Sequence, residues 1–172
     1  MDALELIFSR RSVRHFSNEA VSEEELDVLL RAAMQAPSAD NGQPWHFVVI
    51  DDREILNAIT RFHPFSKALM EAPLAILVCG DVRLESAPGR WVQDCSAATQ
   101  NLLLAAHSMG LGAVWLGVQP EPDRIESLRD LVRLPSGVHP LALVAVGRPH
   151  GELPPSAERY RPERVHRNRW SE

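Results

Sequence analysis

Two cysteines and one lysine in 172 residues, with no long unbroken apolar run, set the first bounds on this chain. Cys79 sits in the apolar run LAILVCG and Cys95 in a helix-like stretch, and neither belongs to a C-x-x-C pair. Both are expected to be reduced packing residues, not a disulfide or a metal pair. The longest candidate span, CSAATQNLLLAAHSMGLGAVWLG, is interrupted by Thr99, Gln100, Asn101 and His107 and broken by Gly110 and Gly112. A spanning helix needs roughly 20 consecutive apolar residues, so no membrane segment is expected. No charged, apolar and small-residue leader pattern precedes the first helix, and the expected location is the cytoplasm.

Several standard sites are missing as well. The histidines at 15, 46, 63, 107, 139, 150 and 166 show no H-x-x-x-H or H-E-x-x-H spacing, which argues against zinc. There is no G-x-S-x-G elbow and no G-x-x-x-x-G-K-[ST] phosphate loop. GLGAVWLG at 110–117 looks like a dinucleotide fingerprint but runs from a helix into a strand. A phosphate cradle needs the opposite order, glycines followed by a helix N-terminus. Capping and close helix–strand packing account for Gly110 and Gly112.

What is present is the composition of an ordinary globular protein, 45% hydrophobic and 24% charged, long enough for one domain spanning residues 1–172. A net charge of −5 argues against a general nucleic-acid binder. Yet 17 of the 18 basic residues are arginine, and they crowd the two ends. Arg10, Arg11 and Arg14 lie near the start, and Arg148, Arg159, Arg161, Arg164, Arg167 and Arg169 near the finish. Basic ends on an acidic chain suggest a local anionic target. The alternative is ion pairing with Glu152, Glu158 and Glu163.

Along the chain, Met1 to about Phe8 reads as a short helix with Leu4, Ile7 and Phe8 on one face. Ser22-x-x-Glu25 is a capping box, and Leu26, Leu29, Leu30 and Ala33 follow at helical spacing, predicting a helix over 23–36. Strands are expected at 45–50, 74–80, 113–118 and 141–147, and further helices at 52–61, 91–109 and 123–131, the last capped by Asp123. Residues 63–72 are ambiguous. The continuous apolar run of 74–80 marks a central strand. SAATQNLLLAAHSM, small or apolar nearly all round, predicts a helix buried on more than one side, in part against a second subunit. Gly110 ends it. The tail from Arg148, with Pro149, Pro154, Pro155 and Pro162, is expected to run over a surface. The order is that of a mixed α/β domain with at least four strands covered by helices.

Two turns carry the remaining chemistry. Arg10-Arg11-Ser12 offers two guanidinium forks and a hydroxyl, a set matched to a phosphate monoester, with Arg14 further along a bound ligand. A solvated basic turn is the plainer reading, but Ser12, Val13 and Phe16 alternate with the charges and predict a segment pinned to the body. APSADNGQPWHFVVI then stops a helix at Pro37 and starts a strand at Trp45 through a dense polar turn. Ordinary turn chemistry explains Pro37 and Gly42, but not Gln43 or the whole set.

RRSVRHF, APSADNGQPWHFVVI, WVQDCSAATQNLLLAAHSMGLGAVWLG and a closing VGRP with an Arg-rich tail, in that order, resemble the nitroreductase-like flavoproteins over about residues 2–170. The resemblance implies an α+β sandwich, its mainly antiparallel sheet covered by helices, in an intertwined homodimer with FMN at the subunit interface. It implies that Arg10, Arg11 and Ser12 hold the phosphate and ribityl chain, that Arg14 lies toward the N1/O2 pole of the ring, and that Trp115, Leu116 and Gly117 bring backbone near N5. Arg167 and Arg169 match basic tail positions used on the phosphate, the tail of 148–172 packing on the partner subunit. Gln35, Ser38, Ala39, Asn41 and Gln43 become cofactor-site candidates on a turn that reaches the flavin of the other subunit, with Trp45 packed beneath it.

The activity implied is an FMN-dependent NAD(P)H oxidoreductase, passing hydride from NADH or NADPH to a nitroaromatic, quinone or similar acceptor by ping-pong, with no essential side-chain acid or base. Related flavoenzymes that dehalogenate or dehydrogenate remain open, as do a flavin-binding module without turnover and a non-flavin protein that dimerises through its apolar helix. Lys67, ahead of Ala72-Pro73 at an unsettled register, is left unassigned, and the short stretch between Asp81 and Trp91 predicts an open site.

Overall fold

A computed structural model of the chain describes residues 2–151, 153 and 155–170. The elements are α1 (Ala3–Ser9), α2 (Glu23–Met34), β1 (Trp45–Ile50), α3 (Arg53–Phe62), β2 (Leu74–Asp81), α4 (Arg90–Ser108), β3 (Gly112–Gly117), α5 (Pro122–Leu131) and β4 (Val138–Gly147). Short 3₁₀ turns occur at Ala39–Asn41, Lys67–Met70 and Pro162–Arg164.

Helix starts follow local chemistry. Ser22 and Glu25 form the reciprocal box ahead of α2, and the Asp52 carboxylate accepts from the Glu54 and Ile55 N–H groups ahead of α3. Residues 91–109 begin instead with Gly89 at φ 85, and the Glu85 carboxylate accepts the Gly89 and Trp91 N–H groups at 2.9 and 3.3 Å. The expectation that Asp123 caps α5 is wrong. Pro122 is the first helical residue and Glu121 the cap, without a side-chain bond, because proline's fixed φ and missing N–H suit that first position. Helix α2 stops at Met34 and not at 36, since Pro37 disfavours a helical Ala36. The ambiguous stretch 63–72 folds as the Lys67–Met70 turn, with the Ser66 hydroxyl donating to the His63 carbonyl at 2.6 Å.

The four strands form one antiparallel sheet in the order β1-β2-β4-β3. All eight residues of β2 are buried, as expected of a central strand covered on both faces. Leu74, Ile76 and Val78 face one core, shared with α2 and α4, while Ala75, Leu77 and Cys79 face the other, shared with α3 and α5. A bulge at Val78/Cys79 lies opposite Pro140, whose missing N–H cannot join the ladder. Both cysteines are free and buried. The fold is α+β, a sheet between two helical layers.

The ends behave differently from the body. Arg148 pairs with Glu19 and with Glu25, at 2.7 Å to the latter. Among the described residues no tail arginine pairs with Glu158 or Glu163; Glu152 and Pro154, also invoked above, lie outside them. No described residue of the tail beyond Gly151 is buried, and α1 buries none of its side chains. No helix among the described residues is long and apolar enough to cross a membrane.

Candidate active site

The site is built against β3. The Val13 N–H donates to the Ala113 carbonyl at 3.0 Å, which lays the 10–16 segment across the start of that strand. Gly112 permits the crossing: a Cβ there would lie 2.6 Å from Val13 Cγ1. Phe16 is buried and bridges to Pro149, so the segment is pinned at both ends and Arg14 and His15 open into a cavity of about 1090 Å³. Its walls include Phe65, Lys67, Glu71, Arg124 and the strand end Trp115-Leu116-Gly117.

At the far end of β3, the Gly117 carbonyl accepts two hydrogen bonds, from His63 Nε2 at 2.9 Å and Arg124 Nη1 at 3.0 Å. His63 is 1% exposed, and burial above all pushes its pKa down, with Arg124 pushing the same way. It therefore donates from a neutral ring, and its other nitrogen, Nδ1, has no hydrogen-bond partner among the described residues. Arg124 is the charged member of the pair, and its guanidinium lies 5.4 Å from the centroid of the Phe65 ring. A Cβ on Gly117 would meet nothing within 4 Å, so the backbone there looks onto open space.

The cavity's one carboxylate is already engaged. Glu71 accepts the Phe16 N–H at 3.0 Å and lies 3.2 Å from His15 Nδ1. The Phe16 bond and then His15 hold its pKa below the usual range. Arg14, Lys67 and Arg124 have no carboxylate partner among the described residues, which leaves a cationic cavity in an acidic protein.

The other expected anion ligands precede Arg14 on the same segment. Arg11 turns its Nε and Nη2 onto the Ser9 carbonyl at 3.1 and 2.9 Å, and Ser12 is exposed. Arg10 is half-buried, and its pKa is lowered by burial and then by Arg159. Neither Arg10 nor Arg11 has a carboxylate partner among the described residues. His107, 2.8 Å from the Ser9 hydroxyl, is also pushed toward neutrality by burial, then by Arg11 and Arg10.

The dense turn is strained and braced. Asp40, Asn41 and Gln43 sit at φ 49, 56 and 47 on either side of a right-handed Gly42, left-handed conformations that cost non-glycine residues free energy. Ser38 Oγ accepts the Gln43 N–H at 3.0 Å, and Asn41 Oδ1 accepts from Gln43 Nε2 at 3.0 Å. The Ala39 N–H donates to Asp94 Oδ1 on α4 at 3.1 Å. Gly42 cannot be enlarged, because a Cβ would lie 2.9 Å from the Leu84 carbonyl oxygen. Trp45 is buried at the end of the turn.

Within one chain the structure therefore brings Arg14 together with Trp115, Leu116 and Gly117, while Arg10, Arg11 and Ser12 share its segment but are absent from the cavity wall. It does not bring the turn to them: Gln35, Ser38, Ala39, Asn41 and Gln43 are absent from the cavity wall, as are Arg167 and Arg169. Lys67 does line it. Sequence reasoning missed Phe65, Glu71, His63, Arg124 and the brace Asp94. Of these only Asp94 stands in a quoted stretch, WVQDCSAATQNLLLAAHSMGLGAVWLG, which was read as a helix and strand and not as a brace.

The Nitroreductase family profile matches residues 7–72 and 61–148. A Methanothermobacter thermautotrophicus protein, provisionally named an NADH dehydrogenase/NAD(P)H nitroreductase, is 48% identical over 99% of this chain and 88% of its own. A crystal structure from Parabacteroides distasonis with the same provisional name superposes with a TM-score of 0.93 at 46% identity, covering 97% of this chain and 98% of that one. A provisionally named nitroreductase from Desulfovibrio desulfuricans, solved in complex with FMN, has a TM-score of 0.84 at 31% identity over 99% of both chains. The α+β sandwich is that of the nitroreductase fold. The chain belongs to the Nitroreductase family.

Proposed function

We propose that the chain is an FMN-dependent NAD(P)H oxidoreductase of the nitroreductase type. FMN, when bound, supplies hydride acceptance and donation at N5 between a nicotinamide and a nitroaromatic, quinone or similar acceptor. The observation that carries this is the cavity on β3, where open backbone at Gly117 faces the same space as Arg14 and Lys67, cations without a carboxylate partner among the described residues. Its volume of about 1090 Å³ suits a ligand of flavin size. The FMN complex of the Desulfovibrio relative supports the same assignment.

In this reading Arg10, Arg11 and Ser12 hold the phosphate and ribityl chain. Arg14 supplies fixed positive charge where negative charge collects on reduction, which a preorganised guanidinium stabilises without rearrangement. Trp115, Leu116 and Gly117 present backbone to the ring. No side chain need act as acid or base. Donor and acceptor enter one cavity in turn, which makes the kinetics ping-pong.

The working unit is a homodimer. Leu4, Ile7 and Phe8 on α1, Met34 on α2 and Trp170 in the tail are exposed apolar groups of the kind a subunit interface covers. The turn with Gln35, Ser38, Ala39, Asn41 and Gln43, and the tail with Arg167 and Arg169, then complete the site of a second copy, with 148–172 packed on that copy. The protein works in the cytoplasm on small molecules.

The test is a visible spectrum of the purified protein, then anaerobic addition of NADH and of NADPH. A flavin band that bleaches supports the assignment and identifies the donor. A flavin band that persists with both points to a binding module without turnover. A colourless protein that takes up no added FMN overturns the assignment.

A further inference from the structure

We propose that Arg124 determines acceptor specificity, selecting aromatic acceptors that carry an anionic group such as a ring carboxylate. The inference rests on the function proposed above.

Arg124 and Arg14 line one cavity but belong to opposite ends of its β3 wall. Arg14 follows Val13, which is bonded to Ala113, whereas Arg124 is bonded to Gly117. Four residues of strand put those anchors roughly 13 Å apart. The cluster that answers a cofactor phosphate, Arg10 to Ser12, lies beyond the Arg14 end. Arg124 therefore has no part in holding that phosphate, and its charge faces the space past the Trp115–Gly117 wall.

No carboxylate among the described residues pairs with that charge. Glu121 and Asp123, its neighbours in sequence, are exposed, and neither lines the cavity nor pairs with it. Glu71 is occupied by Phe16 and His15. The bond to the neutral Gly117 carbonyl uses Nη1, and the remaining guanidinium N–H groups meet no acceptor among the described residues. Phe65, 71% exposed, supports the guanidinium with its ring and adds an apolar surface at the same rim. An aromatic body against Phe65 with a carboxylate on Arg124 satisfies both, and charge-assisted bonds of this kind discriminate strongly against a neutral isostere.

The reaction used for the test balances as ArNO₂ + NADH + H⁺ → ArNO + NAD⁺ + H₂O. The FMN-loaded enzyme is assayed with 4-nitrobenzoate and 4-nitrobenzamide, and the ratio of their kcat/KM values is compared between wild type and variants, so intrinsic reactivity cancels. Arg124→Gln is expected to lower the anion-to-neutral ratio about tenfold, and Arg124→Lys to keep most of it. In the wild type the same ratio should fall as salt rises from 0.05 to 0.5 M, about a threefold shortening of the screening length. This measurement needs no variant.

An Arg124→Gln ratio equal to wild type, in protein whose flavin still bleaches, overturns this inference alone. A wild-type ratio indifferent to salt does the same if the glutamine variant fails to fold. A protein that takes up no FMN, or whose FMN is not bleached by either nicotinamide, overturns the functional assignment and this inference with it.

Discussion

The carboxylate of Asp94, 6% exposed on the second turn of α4, receives the N–H of Ala39 at 3.1 Å and so ties the longest helix to the most strained turn. Its other oxygen, Oδ2, is buried without a hydrogen-bond partner among the described residues. Asp94→Ala should release the left-handed conformations at Asp40, Asn41 and Gln43. Because that turn is proposed to close the site of a second copy, FMN affinity should fall by about tenfold, the equivalent of roughly 1.4 kcal/mol. Fluorescence titration of FMN into the apo-protein measures it. Asp94→Asn, which keeps an accepting oxygen, should retain most of the affinity. Equal affinity in wild type and the alanine variant would remove the turn from the site.

Arg14 gives a cleaner separation of chemistry from stability. Its side chain is exposed, lines the cavity and has no carboxylate to leave behind. Arg14→Ala should shift the unfolding free energy by no more than about 0.5 kcal/mol, the usual range for surface substitutions. It should slow anaerobic flavin reduction by at least about tenfold at full FMN occupancy, a loss of roughly 1.4 kcal/mol of transition-state stabilisation. Stopped-flow bleaching of the visible flavin band reads this directly. Unchanged kinetics would refute the role.

Gly112→Ala tests the crossing of the 10–16 segment over β3. The new Cβ would approach Val13 Cβ to 2.7 Å, a contact that must be relieved by moving the segment. Overpacking of this kind costs about 1–3 kcal/mol, read as a lower denaturation midpoint, and the displaced Arg10–Arg14 run should bind FMN more weakly. Adding Val13→Ala removes the obstacle and should restore FMN binding in part. Two independent, additive losses would mean that the two side chains do not meet.

His63 sets a pH dependence. Burial lowers its folded pKa below the ordinary value, so the unfolded chain binds more protons in the window between the two. Stability should therefore be complete above the unfolded pKa of about 6.5 and be lost as pH falls through the lowered folded value. His107 is shifted the same way and adds to the slope. A single such group contributes at most about 1.4 kcal/mol per pH unit. His63→Gln should flatten, but not abolish, the fall in urea midpoint between pH 7 and 5. A variant with the wild-type slope would show that His63 does not carry it.

The features visible in the sequence are those written in adjacent residues. Ser22 and Glu25 announce the start of α2 and an uninterrupted apolar run announces β2, because each needs neighbours only a few positions apart. The pairings that brace the cavity wall and the strained turn are long-range. His63 meets Gly117 across 54 positions and Ala39 meets Asp94 across 55, and no local periodicity encodes either. Arg124 is hidden differently: only seven positions separate it from Gly117, but its side chain folds back onto a carbonyl whose direction the sheet decides. The Asp123 cap failed on a local rule that was available, since Pro122 already claimed the first helical position.

Burial of the two cysteines has a consequence for how the molecule can be watched. Cys79 lies on β2 and Cys95 on α4, with the Cys95 thiol donating to the Cys79 carbonyl at 3.5 Å, and burial pushes both thiols up to about 12. In the closed protein neither presents a thiolate to a reagent. Alkylation of Cys95 therefore clocks the moments when α4 lifts from the sheet, and alkylation of Cys79 those when the α3 and α5 layer does, so a chain with no added probe carries its own gauge of how often each side of its interior opens.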